Sequence, residues 1–347
     1  MSKTLRVGTI GAGGIASAHI KRLQDIKGVE VVAVCDIRKE AADETAQKFN
    51  VPEVFYGYKD LLKLKGLHAV SVCTPNYFHA EPAIAALRAG KHVIVEKPMA
   101  MTVREAQAMV DAAKKARKVL VVGFQLRYSG AAQMLKRAVD DGMLGDIVHV
   151  HCRAMRRRGI PNWGVFGRKE LQGGGGLIDL GVHIMEAAHY VMGKPKPVAA
   201  CGQTFTYLGN KKSDVLCKWP NWDHKTYDVE DLAVGMIRFK NGATMMVESS
   251  FVAHIEKNIF DFQVMGTRGG GTYDPPRIFT DAAGTMFNLE PAFLGDESAW
   301  DRKMGDWIDC IRKGKKPEAP GEDGLAVQKM LNGIYRSAER GKEIPIR

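Results

Sequence analysis

Hydrophobic positions in the first 123 residues fall into short apolar runs separated by helical patterns. Leu5–Ile10, Val29–Cys35, His68–Cys73, His92–Val95 and Val119–Gly123 are apolar and of strand length. Between them lie a helical stretch to about Lys27, another over Arg38–Phe49, and the Ala-rich segments Ala80–Ala89 and Thr102–Arg117. Strands without polar alternation, each followed by a helix, predict βαβ units and an α/β, doubly wound parallel sheet covered on both faces.

The pattern changes after Gly123. A helix over about Ala131–Asp140 leads through Gly142 and Gly145 into a strand, Asp146–Arg153. The glycine run Gly173–Gly176 then opens an apolar helix to about Met192. Beyond it strand follows strand. Asp231–Phe239 and Ala243–Phe251 flank Asn241-Gly242, which predicts a type I′ turn with both central residues at positive φ. Ile259–Met265 and Gly271–Tyr273 extend the sheet, and helices near Ser298–Arg312 and Gly324–Arg340 close the chain. This predicts a C-terminal α+β domain with a large, mostly antiparallel open sheet. The expected division is 1–123 and 124–347. Met236, Met245, Met246 and Phe251 give the sheet more apolar side chains than one packed face requires, which predicts a homodimer or homotetramer formed through it. The loop Asn210–Asp228, with Trp219, Trp222 and His224, is long, polar and aromatic, and loops of that length are usually functional or mobile.

Composition excludes several classes. With 45% hydrophobic and 26% charged residues the chain is not disordered. No apolar run approaches the ~18 residues of a membrane span. Met1–Arg6 runs directly into a strand pattern, without a secretion segment or twin arginine. Six scattered cysteines (Cys35, Cys73, Cys152, Cys201, Cys217, Cys310) contain no C-x-x-C pair, which fits a reduced cytoplasmic protein. The net charge of +11 would suit a nucleic-acid partner if it were concentrated. It is spread: residues 1–123 hold 19 Lys and Arg against 12 Asp and Glu, the remainder 31 against 27. The one dense run, Arg153 with Arg156-Arg157-Arg158, is too short to make a nucleic-acid footprint.

Gly11-x-Gly13-x-x-Ala16 sits between the first strand and the first helix. Gly11 permits the tight turn, Gly13 lets a pyrophosphate approach the backbone, and Ala16 lets the helix pack closely. Asp36 ends the second strand 20 residues past Ala16, where a carboxylate binds the adenosine ribose hydroxyls. The first half thus reads as a Rossmann domain for NAD. Arg38 keeps NADP as the alternative, because an arginine there accepts a 2′-phosphate. Thr74-Pro75-Asn76 and Glu96-Lys97-Pro98 follow the next strands, at the edge where open α/β sheets place ligands. Lys97 there can orient a hydroxyl or stabilise an alkoxide, and its competing role is a solvated surface lysine. Asp179 and His183, at i and i+4, lie about 40° apart on one helix face if the helix is regular. Such a carboxylate orients an imidazole and stabilises its protonated form, as a general base requires. The same spacing serves a surface ion pair. Metal ligation with Glu186 is disfavoured, because these side chains alone leave the site short of nitrogen and sulfur ligands, so no metal is expected.

These motifs, with His79, Ala89-Gly90-Lys91-His92-Val93, Glu230-Asp231-Leu232-Ala233 and Ile334-Tyr335-Arg336-Ser337-Ala338, resemble one family across essentially the whole chain. It is the glucose–fructose oxidoreductase, inositol dehydrogenase and rhizopine-catabolism (Gfo/Idh/MocA) family. The resemblance implies an NAD(P)-dependent oxidoreductase acting on a secondary ring hydroxyl of a sugar, cyclitol or derivative. It implies Lys97, Asp179 and His183 as the catalytic triad and a cis peptide before Pro98. It also places Gly14, Ile15, Thr74, Pro75, Asn76, His79, Glu96, Trp163 and Arg168 at the cofactor, with Gln125 and Arg153 at the substrate beside the triad.

Two other activities occur on this framework. One is redox-neutral glycoside cleavage by transient oxidation, elimination, water addition and re-reduction. That route needs a further acid, with Tyr128, Arg153, Trp222 and His224 as the candidates. The other is a nucleotide-binding regulator without catalysis, against which the intact Lys97, Asp179 and His183 argue. An arginine of the 153–158 run facing the cleft would suggest a uronate or sugar phosphate. The competing role is a solvated edge that blunts aggregation.

Overall fold

The computed structural model describes residues 4–295 and 297–347. In chain order the first elements are β1 (Leu5–Ile10), α1 (Gly14–Gln24), β2 (Val29–Cys35), α2 (Lys39–Phe49), β3 (Glu53–Phe55) and α3 (Tyr58–Leu61). There follow β4 (Ala69–Val72), α4 (Ala80–Arg88), β5 (His92–Val95), α5 (Val103–Ala116) and β6 (Leu120–Val122). Next come α6 (Gly130–Asp140), β7 (Ile147–Met155), α7 (Lys169–Gln172), α8 (Val182–Val191) and β8 (Pro197–Phe205). The last are β9 (Leu232–Phe239), β10 (Thr244–Ser250), β11 (Ile259–Gly266), β12 (Gly269–Thr272), β13 (Arg277–Ala282), β14 (Thr285–Leu289), α9 (Ala299–Lys313), α10 (Gly321–Arg340) and β15 (Ile344–Pro345).

Contacts divide the chain into two units: Met1–Gly123 with Trp300–Leu325, and Phe124–Ala299 with Ala326–Arg347. This differs from a division into 1–123 and 124–347 in the segment Trp300–Leu325. The reason is packing. Pro320 bridges to Val121, Gly321 lies against Leu120 and Val110, and Gly324 lies against Val122 and Met99. Arg312 donates to the carbonyls of Lys27 and Gly28.

In the first unit six parallel strands run in the order β3-β2-β1-β4-β5-β6. This is the doubly wound order whose switch point lies between β1 and β4. Every residue of β4 and β6 is buried, as expected for a sheet covered on both faces. α5 begins with a capping box, in which Thr102 and Glu105 satisfy each other's backbone N–H groups.

The second unit is a nine-stranded sheet in the order β14-β13-β12-β11-β7-β10-β9-β8-β15. Only β7 and β10 pair in parallel. Burial alternates along β9 and β7, so one face is packed and the other open. Cys152 Sγ approaches the Ile184 carbonyl of α8, so α8 covers the packed face. The β9–β10 turn is not type I′. Gly242 alone takes positive φ (90°), and its N–H donates to the Phe239 carbonyl, so Lys240 and Asn241 are the central residues. This is the three-residue hairpin loop with glycine in the left-handed position.

Candidate active site

At the switch point of the first unit Gly11 has φ +98°, and a Cβ there would sit 2.6 Å from the Cys73 carbonyl oxygen, so only glycine fits. Gly13 and Gly14 have open space where side chains would stand. α1 begins at this point with no side-chain cap and no acidic residue in its first turn, so its terminal N–H groups remain to meet an anion. Ala16 is fully buried under the helix, and Ile15 is exposed at its start. The Asp36 carboxylate accepts from the Ala12 and Arg38 N–H groups, both at 2.9 Å, which fixes it beside the glycine turn. Arg38 Nε lies 3.7 Å from the same carboxylate. These features fit a dinucleotide: open backbone for the pyrophosphate, then an oriented acid for the ribose.

The next two strand ends are tied together. His79 is buried, with Nδ1 2.7 Å from the Pro98 carbonyl and Nε2 2.9 Å from that of Thr74. Burial lowers its pKa against the pull of both carbonyls. Thr74 Oγ1 closes its own turn on the Phe78 carbonyl, and Asn76 is buried beyond Pro75. The Lys97–Pro98 peptide is cis.

Glu96 is the buried hub of this unit. Its Oε1 accepts from Lys303 Nζ (2.9 Å) and lies 3.0 Å from His19 Nε2, while Oε2 faces the Lys97 N–H at 3.2 Å. His19 Nδ1 meets Ser71 Oγ at 2.8 Å. Burial pushes the Glu96 pKa up, but Lys303 and His19 outweigh it and hold the carboxyl well below its ordinary range. Burial, reinforced by the Lys303 charge, lowers His19 to about 4. Lys303 also lies over the Trp300 ring at 4.1 Å. Along Val93–Ala100, Lys97 is the single residue that is not fully buried.

In the second unit the glycine run is explained by close approach. A side chain at Gly174 would strike the Tyr335 hydroxyl, one at Gly175 the Glu230 carbonyl, and one at Gly176 the backbone of Ser250 and Phe251. Glu230 is buried here, its carboxylate accepting from Gly175 N–H (2.8 Å), Leu177 N–H (3.0 Å) and Tyr335 O–H (2.8 Å). Burial raises its pKa despite these donors. Three separate sequence motifs therefore form one knot at the start of the turn that carries Asp179.

That turn, Leu177–Gly181, is π-type, and α8 starts only at Val182. Asp179 thus lies in the π-type turn and His183 in the α-helix that follows it, where the spacing predicts one regular helix. A π-type turn often marks a functional site. Asp179 is buried, and over Gly174–Met192 His183 is the single residue that is not. Glu186 is buried against Arg127, whose Nε lies 2.6 Å away, so it serves an ion pair.

Arg153 is turned from this site. It alternates with Cys152 along β7, so it lies on the sheet face opposite α8, 3.8 Å from Asp261. Of the 153–158 run, Arg156 is the arginine with an electrostatic interaction to Asp179. Its N–H donates to the Ser250 carbonyl (2.9 Å), beside which Gly176 packs. Arg157 and Arg158 are held at loop carbonyls and near His254. Gln125 Oε1 is enclosed without a hydrogen-bond partner, a position that a ligand donor would satisfy. Trp163 and Arg168 are exposed on the segment before α7. Tyr128 is buried, Trp222 is buried with Nε1 on the Gly209 carbonyl, and the His224 N–H meets the Trp222 carbonyl.

A glycine turn and ribose acid at the switch point of a parallel sheet, joined in one chain to an Asp–His turn on an antiparallel unit, define a two-unit dinucleotide oxidoreductase. The chain belongs to the Gfo/Idh/MocA oxidoreductase family. Residues 5–124 match the family model described as an oxidoreductase family with an NAD-binding Rossmann fold, and residues 132–271 match the Gfo/Idh/MocA C-terminal domain. D-glucoside 3-dehydrogenase of Escherichia coli K12 is 38% identical over 347 residues, covering 99% of this chain and 98% of the relative. Levoglucosan dehydrogenase of Pseudarthrobacter phenanthrenivorans is 31% identical over 312 residues, covering 85% and 78%. A solved levoglucosan dehydrogenase in complex with NADH superposes with TM-score 0.86 at 25% identity over 99% of both chains.

Proposed function

We propose that this protein oxidises a secondary ring hydroxyl of a D-glucoside, at C3, with NAD as the hydride acceptor. The observation that carries this reading is the full-length similarity to D-glucoside 3-dehydrogenase. His183 takes the hydroxyl proton on a ring nitrogen. Asp179 orients the imidazole and stabilises the charge it gains. The Lys97 ammonium orients the hydroxyl and stabilises the oxygen as the C–H bond breaks. NAD, when bound, would supply the hydride acceptor, so that the alcohol would give a ketone, NADH and one proton. Gln125 Oε1 accepts a donor from the bound ligand. The glycine turn with Gly14 and Ile15, Asp36, Thr74–Asn76, His79 and Glu96 shape the cofactor side. Redox-neutral cleavage is not favoured, since the relatives are named as dehydrogenases. The test is purified protein with NAD and a methyl D-glucoside. NADH forming in step with ketone, without methanol release, supports the reading; methanol release without NADH overturns it.

Asp36 sets the cofactor preference. A fixed carboxylate repels a 2′-phosphate, and Arg38 is drawn to that carboxylate. NAD is expected to bind more tightly than NADP in fluorescence titrations, and Asp36→Ala to narrow the gap. Equal or tighter NADP binding would show that Arg38 dominates.

The open sheet face is the proposed self-association surface of a cytoplasmic enzyme. Met236, Met246, Met265 and Val148 are exposed on the second unit, whereas Met245 and Phe251 are fully buried and do not contribute. Light scattering is expected to give a multiple of the 38.1 kDa protomer. A monomer at micromolar concentration would refute this.

A further inference from the structure

We infer that Trp163 and Trp219 form a stacking subsite for the second ring of a glycoside, either an aryl aglycone or another sugar. The inference rests on the glycoside reading above. Trp163 is 49% exposed, an unusual state for so large an apolar side chain. The two indoles meet edge to face, with centroids 4.8 Å apart and planes at 83°, so they make a corner with a platform and a wall. Phe166 braces Trp163 from 6.0 Å. The loop carrying Trp219 is pinned: Trp222 is buried with its N–H on the Gly209 carbonyl (2.7 Å), and Asn162 donates to the Pro220 carbonyl (2.7 Å). A corner held this way loses little entropy when a ring settles on it.

Its place in the unit links it to the Asp–His turn. The Arg156 guanidinium lies 4.8 Å over the Trp219 ring, and the Arg156 N–H is bonded to Ser250, against which Gly176 packs. The Arg156 charge is also felt at Asp179. The contacts therefore run from Gly176, three residues before Asp179, through Ser250 and Arg156 to Trp219 and Trp163. On this reading a ring on Trp163 is the second ring of the glycoside, beyond the one that reacts. An indole face suits the C–H faces of a sugar or the π-face of an aryl group alike.

The test compares the holoenzyme and its Trp219→Ala, Trp219→Phe and Trp163→Ala variants on methyl D-glucoside, phenyl D-glucoside and cellobiose. For the alanine variants KM for a two-ring substrate should rise about 3- to 10-fold more than KM for the methyl glucoside, the worth of one aromatic contact. Trp219→Phe should recover part of the loss. A selective rise for phenyl glucoside alone assigns the subsite to aryl aglycones, and for cellobiose alone to sugars. Equal changes on all three substrates, or an NAD dissociation constant that moves with KM, would overturn the subsite. Tryptophan fluorescence titration with cellobiose and phenyl glucoside gives a readout independent of turnover. If wild type turns over no glycoside yet shows saturable quenching lost in Trp219→Ala, the catalytic reading fails and the subsite stands. Absence of both quenching and turnover overturns the subsite as well.

Discussion

Replacing His183 by alanine is expected to lower kcat about 10²–10⁴-fold, the range for a lost acid–base group. Lys97→Met should fall in the same range. The expectation has a physical basis beyond family membership. Each residue is the single position that opens from an otherwise buried stretch, Lys97 within Val93–Ala100 and His183 within Gly174–Met192. Buried chain holds each side chain in place while leaving it reachable, which is what a proton-handling group requires. Neither residue fills the core, so the melting temperature should move far less than kcat. NAD affinity, measured by fluorescence titration, should hardly change in His183→Ala. Near-full turnover by that variant would make the Asp–His turn structural and remove the mechanism with it.

Much of the first unit was legible because its signals are local. Apolar runs of strand length, β-branched and separated by helical patterns, read as strands buried on both faces, and the glycines at 11 and 13 announce the turn that the structure shows. The segment Trp300–Leu325 clusters with the first unit through contacts with Val110, Leu120 and Val121 that are distant in sequence, so no local signal marks it. β8, β13 and β14 escaped notice. β14 is an edge strand and exposed along its whole length, while β8 and β13 near the sheet margins are only partly buried, so all three carry little apolar signal.

In the second unit the residue types were legible and their directions were not. Arg153 looked suitable for substrate, but strand parity turns it to the face opposite α8. Arg156, three residues on and past the strand end, reaches Asp179's surroundings instead. Glu230 and Tyr335 were recognisable as motif residues, yet nothing in their spacing shows that both close on the glycine run. The π-type turn likewise has no local sequence signal, and a regular helix is the natural default.

Lys303→Met should destabilise the protein by about 3–5 kcal/mol, the usual loss when one partner of a buried ion pair is removed. Lys303 reads in sequence as one of several cations on the amphipathic α9, but it is fully buried, with its ammonium on Glu96 and over Trp300. Without it the Glu96 carboxylate keeps only His19 and the Lys97 N–H, and its burial is no longer compensated. At about 2–4 °C per kcal/mol for a chain of this order, the melting temperature should fall roughly 10 °C. The Lys303→Met/Glu96→Gln pair should recover a good part of the loss, because the stranded charge is then gone. Acid probes the same cluster. His19 titrates near 4 in the folded protein against 6.5 in the unfolded chain. The unfolded state therefore takes up a proton first, and the stability present above pH 6.5 is lost as pH falls toward 4. A shift of that size is worth about 3 kcal/mol. Glu96, held well below 4.5, adds a loss in the same direction at still lower pH. His19→Gln should reduce the acid limb without removing it, because burial also lowers His92 to about 4 and lowers His79 in the same direction. Chemical denaturation at several pH values measures both effects. A Lys303→Met variant within about 1 kcal/mol of wild type, with an unchanged acid limb in His19→Gln, would show that the cluster is not the electrostatic centre of the first unit.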